Sequence, residues 1–345
     1  MNPIREYYFD CAASAPMLRS VREMLGAWQY ANPNSVHSPG RDARGDLEQA
    51  RKTIARCINA EPEEIYFTPS ATAACRSAVS LLEIPHCSPH EHEAVKSACR
   101  WQIIGSGIDP EAHAHILASN ETGEIFVDEV MQLVEQGKKV FTDATAAMGH
   151  LAIDVKELGV AALAAGAHKF GGPPGIGFLY VKDGVAERGV TELDFSYPGT
   201  PPVGLACAMA EALQYRAENM EMTRTTLAER VALGRALEKI PGVHLNVREK
   251  PRLPHILSVR FDGIDARELL TLLDVNGVFA SAGSACHAED DKPSAALLAA
   301  GLTEEQAKST VRFSFSEETT GSEYDTVADV VKECVERLRR LNPVK

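Results

Sequence analysis

One lysine of the chain lies in a sequence suited to covalent chemistry. Residues 163–177 read LAAGAHKFGGPPGIG, so Lys169 follows an apolar segment and precedes a turn rich in glycine and proline. Glycines let a backbone approach a ligand closely, and a lysine that loses part of its hydration has a lowered pKa and can form a Schiff base. On this segment alone, an ordinary lysine in a surface loop is the competing interpretation.

An aspartate follows an earlier apolar segment. In KKVFTDATAAMGH, Asp143 comes directly after strand-like residues, and the carboxyl ends of parallel strands face the ligand crevice of an open α/β sheet. Pyridoxal 5'-phosphate (PLP) requires a Schiff-base lysine and an acidic partner for its pyridinium nitrogen. Asp143 and Lys169 could supply these two groups, although a helix N-cap is an alternative role for the aspartate.

A third segment could bind a phosphate group. In TPSATAACR, Ser70, Ala71 and Thr72 lie where a strand gives way to a helix. The amide groups and the dipole at a helix start favour an anion, and Thr72 can add a hydroxyl group. Read alone, the segment is more typical of a simple N-cap. The order of phosphate site, aspartate and lysine along the chain predicts a PLP site.

The elements that position these residues alternate along the chain. Helical patterns occupy residues 17–31 and 41–58, with a turn-rich loop at 32–40 between them. Strand-like patterns follow in EIYFT, HAHILAS, KKVFTDAT, AALAAGA and IGFLYV. Strands that alternate with helices predict an α/β domain with a mostly parallel central sheet.

The pattern changes near residue 220, where longer helices and runs of strands begin. We predict helices at 224–240, 265–276 and 324–341, and strands at 255–261, 278–281 and 311–315. This mixture is typical of an α+β domain. We therefore expect a large PLP-binding domain over residues 16–220 and a smaller domain that combines residues 1–15 with 221–345.

Composition excludes several classes of protein. The 345 residues are 45% hydrophobic and 24% charged, which is typical of a globular chain, and the net charge of −13 disfavours nucleic acid as a partner. The sequence has no long uncharged apolar stretch, so we predict no membrane span, and the charged N-terminus does not resemble a secretion signal. The eight cysteines are scattered without metal-ligand spacing. These features predict a cytoplasmic protein with reduced thiols and no metal site.

Together, the motifs resemble those of the cysteine desulfurases, within the class V aminotransferase group of fold-type I PLP enzymes. The resemblance covers nearly the whole chain, from YYFDCAASAP to VRFSF, and includes EIYFTPSATAA, EHEAV, SNETG, DATAAMGHLAID and GAHKFGGPPGIGFLYV. It implies the fold-type I architecture and a homodimer. It also assigns the Schiff-base lysine to Lys169 and the pyridinium partner to Asp143.

The same resemblance implies roles for further residues. It places His92 over the cofactor ring, as a possible acid or base, and Thr200 at the phosphate of a partner subunit. The remaining assignments are Ala71, Thr72 and His168 for cofactor binding, and Asn120 and Arg312 for substrate binding. A guanidinium suits the last role because it binds a carboxylate through two hydrogen bonds, whereas a surface salt bridge is the alternative for Arg312.

One cysteine is assigned a chemical role by its surroundings. The segment ASAGSACHAEDDKPSAALLAAGL resembles the active-cysteine loop of the family and places Cys286 at the nucleophile. A thiolate there would attack the sulfur of L-cysteine, leaving L-alanine and a persulfide for a sulfur acceptor, a protein or a thiol. The alternatives are another PLP enzyme, such as a selenocysteine lyase, a cystine lyase or an aminotransferase-like enzyme, and a degenerate sulfur carrier without turnover.

Four departures from the family pattern accompany this resemblance. Ala146 replaces a glutamine that reaches the cofactor ring, and Gly166 replaces a serine that reaches the phosphate. The interval between His92 and Asn120 is short, and FSYPGTPPV is a shortened version of the family's stretch before its Gly-Thr pair. The chemistry remains possible, but we expect an effect on cofactor affinity and efficiency.

Overall fold

The structure is a computed structural model, and it describes residues 6–27, 31–102, 111–185, 197, 199–282, 292–316 and 323–341. The chain forms two compact units. The larger unit comprises residues 16–118 and 126–220, and the smaller comprises residues 1–15, 119–125 and 221–345.

Residues 119–125 depart from the predicted boundary, because they belong to the smaller unit although they lie between two parts of the larger one. Backbone hydrogen bonds explain this placement. The Ile125 amide donates to the Pro251 carbonyl (3.0 Å), and the Leu253 amide donates to the Gly123 carbonyl (2.8 Å). Such pairing between distant segments leaves no local pattern in the sequence.

The strands in chain order are β1 Tyr7–Tyr8, β2 Ile65–Thr68, β3 His86–Cys87, β4 Ala112–Ala114, β5 Lys139–Asp143, β6 Ala162–Gly166, β7 Gly177–Val181, β8 Val243–Leu245, β9 Ile256–Phe261, β10 Val278–Phe279, β11 Ser281–Ala282 and β12 Thr310–Ser314. The helices are α1 Arg19–Ala27, α2 Ser38–Ile58, α3 Ala71–Leu81, α4 Glu93–Gln102, α5 Val127–Glu135, α6 Val155–Leu158, α7 Val203–Glu218, α8 Met222–Leu237, α9 Ala266–Val275, α10 Ala295–Ala299, α11 Glu304–Lys308 and α12 Tyr324–Leu341. Within the described residues, no helix is long and apolar enough to cross a membrane.

The larger unit is built on a six-stranded sheet in the order β2-β7-β6-β5-β4-β3. Strands β3, β4, β5 and β6 pair in parallel, whereas β7 is antiparallel to both β6 and β2. The predicted α/β class with a mostly parallel sheet is confirmed. Helices connect the parallel strands, and the central strands β5 and β6 are almost fully buried and read as short apolar runs.

Two helices of the larger unit differ from the sequence-based expectation. Helix α2 begins at Ser38, inside the predicted loop, because His37 caps it by accepting the Gly40 amide and Pro39 is compatible with a first turn. Helix α7 was not predicted. Its buried residues lie all around it, so no single apolar stripe marks it as a helix; they include Val203, Ala206, Ala208, Met209, Ala210, Ala212 and Leu213.

The smaller unit contains an antiparallel sheet in the order β11-β12-β9-β8 and a parallel pair of β1 with β10. The strand predicted at 278–281 is therefore two short strands, β10 and β11, that belong to different sheets. Aromatic side chains fill the core around β12, where Phe9 packs edge-on against Phe313 and Phe315. The predicted terminal helix is present as α12.

Candidate active site

The ends of two adjacent strands bring an aspartate and a lysine to one edge of the larger sheet. Strand β5 ends at Asp143, and β6 ends at Gly166, directly before the 3-10 turn Ala167–Lys169. Asp143 is in register with Ala164 of the parallel neighbour β6. The carboxylate and the lysine therefore follow neighbouring strands at the same edge.

The start of helix α3 reaches the same edge. Ser70 is its N-cap, with the hydroxyl oxygen accepting the Ala73 amide at 3.1 Å. A Cβ atom added to Gly177 of β7 would lie 2.9 Å from the Ala71 nitrogen and 2.6 Å from the Ala165 carbonyl oxygen. Only glycine permits so close an approach. Because Gly177 is paired with Gly166, the helix start lies beside the end of β6.

Asp143 is 5% exposed and is held from two sides. Its Oδ1 accepts the Thr145 amide at 2.9 Å. The Cys75 thiol, on the buried face of α3, is hydrogen-bonded to the carboxylate; burial and then the charge of Asp143 raise the pKa of this thiol well above its usual value. The hydroxyl group of Thr145 is buried without a partner among the described residues. The carboxylate is thus shielded from water and held in place by hydrogen bonds.

Glu91 adds a second acid next to Asp143. It is 2% exposed, and neither of its carboxyl oxygens has a hydrogen-bond partner within the described part of the chain. Burial, followed by the charges of Asp143 and Cys87, raises the pKa of Glu91 well above its usual value. A buried carboxyl group without partners is stable only in its neutral form. Sequence reasoning missed Cys75 and Glu91, although Glu91 directly precedes His92.

His92 is partly buried at the start of α4, where its Nδ1 accepts the Ala94 amide at 3.1 Å. Burial lowers the pKa of this imidazole; Asp143 opposes that change and Lys169 reinforces it. His92 is therefore neutral near pH 7. With Nδ1 occupied as an acceptor, the ring proton is on Nε2.

Two further imidazoles near Lys169 are also held neutral. Burial, and then the charge of Lys169, lowers the pKa of His168 to about 4. Burial, and then the charge of Arg216, lowers the pKa of His150 to about 3, despite its hydrogen bond to the Lys169 backbone. Sequence reasoning assigned His168 to the site but missed His150.

In the smaller unit, Arg312 and Asn120 are brought together. Arg312 is 2% exposed, and its Nη1 donates to the Asn120 carbonyl oxygen at 2.8 Å. Its Nη2 donates to Asp10 Oδ1 at 2.9 Å. The sequence motif that contains Asp10 was part of the family resemblance, but no role was assigned to this aspartate.

Four further positions were singled out in the sequence: Cys286, Thr200, Ala146 and Gly166. Cys286 lies outside the described residues. Thr200 is exposed in the larger unit, while Ala146 is partly buried and Gly166 is buried. Among the described residues, no group of histidine, cysteine and acidic side chains could hold a metal ion.

The residues at the edge of the larger sheet fit PLP. A buried carboxylate that accepts hydrogen bonds suits the pyridinium nitrogen, and the lysine follows the adjacent strand. The first-turn amide groups of α3 suit the phosphate. The neutral ring of His92 suits stacking on the cofactor ring. Thr145 adds a buried hydroxyl group whose hydrogen bond is still to be made.

A family profile and two curated relatives show which family this chain is similar to. The profile of the family described as Aminotransferase class-V matches residues 7–99 and 100–327. The cysteine desulfurase IscS of Methanosarcina thermophila is 31% identical to this chain over an alignment that covers 98% of this chain and 94% of that protein. The IscS-like cysteine desulfurase of Mycobacterium tuberculosis is also 31% identical, and the alignment covers 96% of this chain and 97% of that protein.

Solved structures show the same similarity. A NifS-like protein superposes with a TM-score of 0.83 at 25% identity, covering 97% of this chain and 100% of the other. A structure described as SspA in complex with cysteine has a TM-score of 0.74 at 25% identity, with coverage of 90% and 98%. The alignment with the Methanosarcina protein spans 387 positions, more than the 345 residues of this chain. That relative therefore carries segments that this chain lacks.

Proposed function

The chain belongs to the aminotransferase class-V family and, within it, to the cysteine desulfurases, and we propose that it uses PLP to convert L-cysteine to L-alanine and passes the sulfur on through Cys286. The sheet edge that places Asp143, Lys169 and the start of α3 together carries this proposal. The names of the relatives, and the cysteine in a similar structure, support the choice of substrate.

The proposed cofactor site uses residues of the larger unit. Lys169 would hold PLP covalently, Asp143 would accept the N–H of its ring, and the amide groups of Ala71 and Thr72 would bind its phosphate. His92 would stack on the ring. When bound, PLP supplies an electron sink that stabilises negative charge at the substrate Cα.

The surroundings of Lys169 suit a proton shuttle. His92, His168 and Glu91 are held neutral by burial. None of these three groups therefore changes its protonation state near pH 7. We propose that the Lys169 amine, once released by the substrate, takes the Cα proton and later returns a proton to the product. The Nε2–H of His92 is a second donor at the ring.

Sulfur transfer is assigned to Cys286. Its thiolate attacks the substrate sulfur, so an S–S bond forms while the Cβ–S bond breaks. The electron pair of the broken bond stays with the carbon skeleton, which gains a proton and leaves as alanine. A thiol of the acceptor then attacks the persulfide and removes its outer sulfur. The Ser-Ala-Gly-Ser-Ala-Cys segment supports this role.

Substrate recognition is assigned to Arg312 and Asn120. An arginine that is almost fully buried keeps its charge and presents planar donors, which suits the α-carboxylate of an amino acid. We further propose a cytoplasmic homodimer in which Thr200 completes the phosphate site of the partner. A monomer with full cofactor occupancy in light scattering would contradict the dimer.

The function is tested by incubating the protein with L-cysteine and measuring alanine and sulfide in parallel. Brief exposure should add one sulfur atom to the peptide that contains Cys286, as seen by mass spectrometry. Cys286→Ala should retain PLP and lose sulfur transfer by several orders of magnitude. Cys207→Ala, which changes a partly exposed thiol of the larger unit, is the control.

Three other outcomes would contradict parts of this proposal. Unchanged sulfide and alanine release in Cys286→Ala would indicate a lyase that needs no cysteine nucleophile. A persulfide on Cys11 or Cys99 would reject the assignment of the nucleophile. A protein that binds PLP but releases no alanine would be the degenerate sulfur carrier.

A further inference from the structure

The N-terminal segment of the smaller unit is fixed against strand β12. The Ser314 amide donates to the Phe9 carbonyl at 2.7 Å, and the Ala12 amide donates to the Ser314 hydroxyl at 2.9 Å. The Phe9 ring lies 6.1 Å from that of Phe313 and 5.4 Å from that of Phe315. These contacts on both sides of Asp10 leave its backbone little freedom.

This anchoring puts a carboxylate beside the proposed substrate arginine. Asp10 forms a parallel bridge with Ser314, two residues beyond Arg312 on β12. Its Oδ1 accepts a hydrogen bond from Arg312 Nη2 at 2.9 Å. The side chain of Arg312 is 3% exposed and that of Asp10 is 25% exposed, so the pair is screened weakly by water.

The guanidinium is held at two nitrogens and unsatisfied at the third. Nη1 donates to the Asn120 carbonyl oxygen at 2.8 Å, and Nη2 donates to Asp10. Nε is buried without a partner among the described residues. Because the guanidinium is a rigid planar fork, two acceptors on different nitrogens fix its plane. Nε is the one nitrogen of this guanidinium that has no acceptor among the described residues, and each Nη keeps a second hydrogen.

We infer that Asp10 is a positioning residue for Arg312, and that it aims the Nε edge of the guanidinium at the α-carboxylate of the substrate. This inference rests on the proposed function. The position of the Asp10 oxygen, more than its negative charge, carries the effect. If Asp10 instead only neutralised the buried arginine, any carboxylate within reach would serve as well.

Two variants separate position from charge. Asp10→Asn keeps an oxygen at the same distance from the backbone and removes the charge. Asp10→Glu keeps the charge and moves the carboxylate outward by one methylene group. We expect Asp10→Asn to leave the KM for cysteine within about threefold of the original protein, and Asp10→Glu to raise KM about tenfold with a smaller change in kcat. Asp262→Asn and Asp262→Glu, at an exposed pair with His244, are the matched controls.

A second readout does not depend on turnover. Arg312 should react slowly with phenylglyoxal in the original protein and in Asp10→Asn, and about tenfold faster in Asp10→Glu, as measured on the Arg312 peptide by mass spectrometry. The opposite order, with Asp10→Asn impaired and Asp10→Glu unchanged, would overturn the positioning role in favour of charge compensation. Equal behaviour of the two variants in both readouts would also reject it. Absence of cysteine turnover in the original protein would refute the proposed function alone, because the labelling still reports on Arg312.

Discussion

The sheet edge of the larger unit and the Arg312 site of the smaller unit contain different kinds of buried ionisable group. At the sheet edge of the larger unit, burial favours the neutral form of the groups around the Asp143 carboxylate: it raises the pKa of Glu91 and Cys75 and lowers that of His92. In the smaller unit, Arg312 keeps its charge, and its Nη2 donates to Asp10 Oδ1 at 2.9 Å.

The chemistry of the side chains explains this difference. A carboxyl group, a thiol and an imidazole can each reach a neutral form by moving one proton, so burial shifts their pKa values until they do. A guanidinium stays protonated in proteins, and a buried one must therefore have a partner. The sheet edge around Asp143 is thus suited to proton transfer, whereas the Arg312 site is suited to recognition of an anion.

The largest effect should come from the lysine at the edge of the larger sheet. Lys169→Ala should purify without the absorbance band of a covalently held cofactor, and alanine formation should fall by several orders of magnitude. Borohydride reduction of the original protein, followed by peptide mapping, should label Lys169. Lys156→Ala, at a surface pair with Glu61, should behave as the original protein. A label on another lysine would contradict the assignment.

The smaller unit should be sensitive to the shape of its cation. Arg312→Lys keeps the charge but loses the planar fork that donates to both Asp10 and Asn120. We expect kcat/KM for cysteine to fall about 100-fold. Arg260→Lys, on the neighbouring strand, is the control. A fall of less than threefold would mean that charge alone suffices at this position.

The neutral imidazoles of the larger unit should make its stability depend on pH. The folded-state pKa of His150, about 3, lies below the ordinary value of 6.5. The unfolded chain therefore takes up a proton first, so stability is fully present above pH 6.5 and is lost as the pH falls toward 3. At about pH 5 the loss should be up to ~2 kcal/mol.

His150→Gln should remove this part of the pH dependence, because glutamine does not titrate. The measurement is the free energy of unfolding by denaturant at about pH 7.5 and about pH 5. His244→Gln, at an exposed position, is the control. An unchanged difference between the two pH values in His150→Gln would show that other groups carry the acid sensitivity.

The smallest effect is expected for Gly166→Ser, which restores the serine hydroxyl group that the family has at this position. A Cβ atom at Gly166 would lie 3.1 Å from the Ala71 Cβ, so a serine requires only a small adjustment. Its hydroxyl group could donate to the cofactor phosphate, and one hydrogen bond of about 1 kcal/mol corresponds to about fivefold tighter PLP binding. Gly166→Ala adds the same Cβ atom without the hydroxyl group. Equal PLP affinity in the two variants would show that the missing serine does not limit cofactor binding.

Much of the larger unit was predictable because its signals are local. Asp143 and Lys169 each follow a short apolar run, and strand periodicity with glycine-rich turns marks those runs without knowledge of the fold. The terminal helix α12 was equally clear, since its apolar residues recur along one face. Helix α7 left no such signal, because it is buried on several sides.

The sequence by itself determined most strands and helices of the larger unit, the fold class and the residues available for chemistry, because local patterns within a few positions mark them. Tertiary structure alone decided which of these residues are neutral and which are paired. Asp10 and Arg312 are separated by 302 positions and meet only because the N-terminal segment lies against β12. Glu91 loses its charge only because the folded sheet and helix exclude water from it, and neither desolvation nor long-range pairing has a periodicity that a sequence can display.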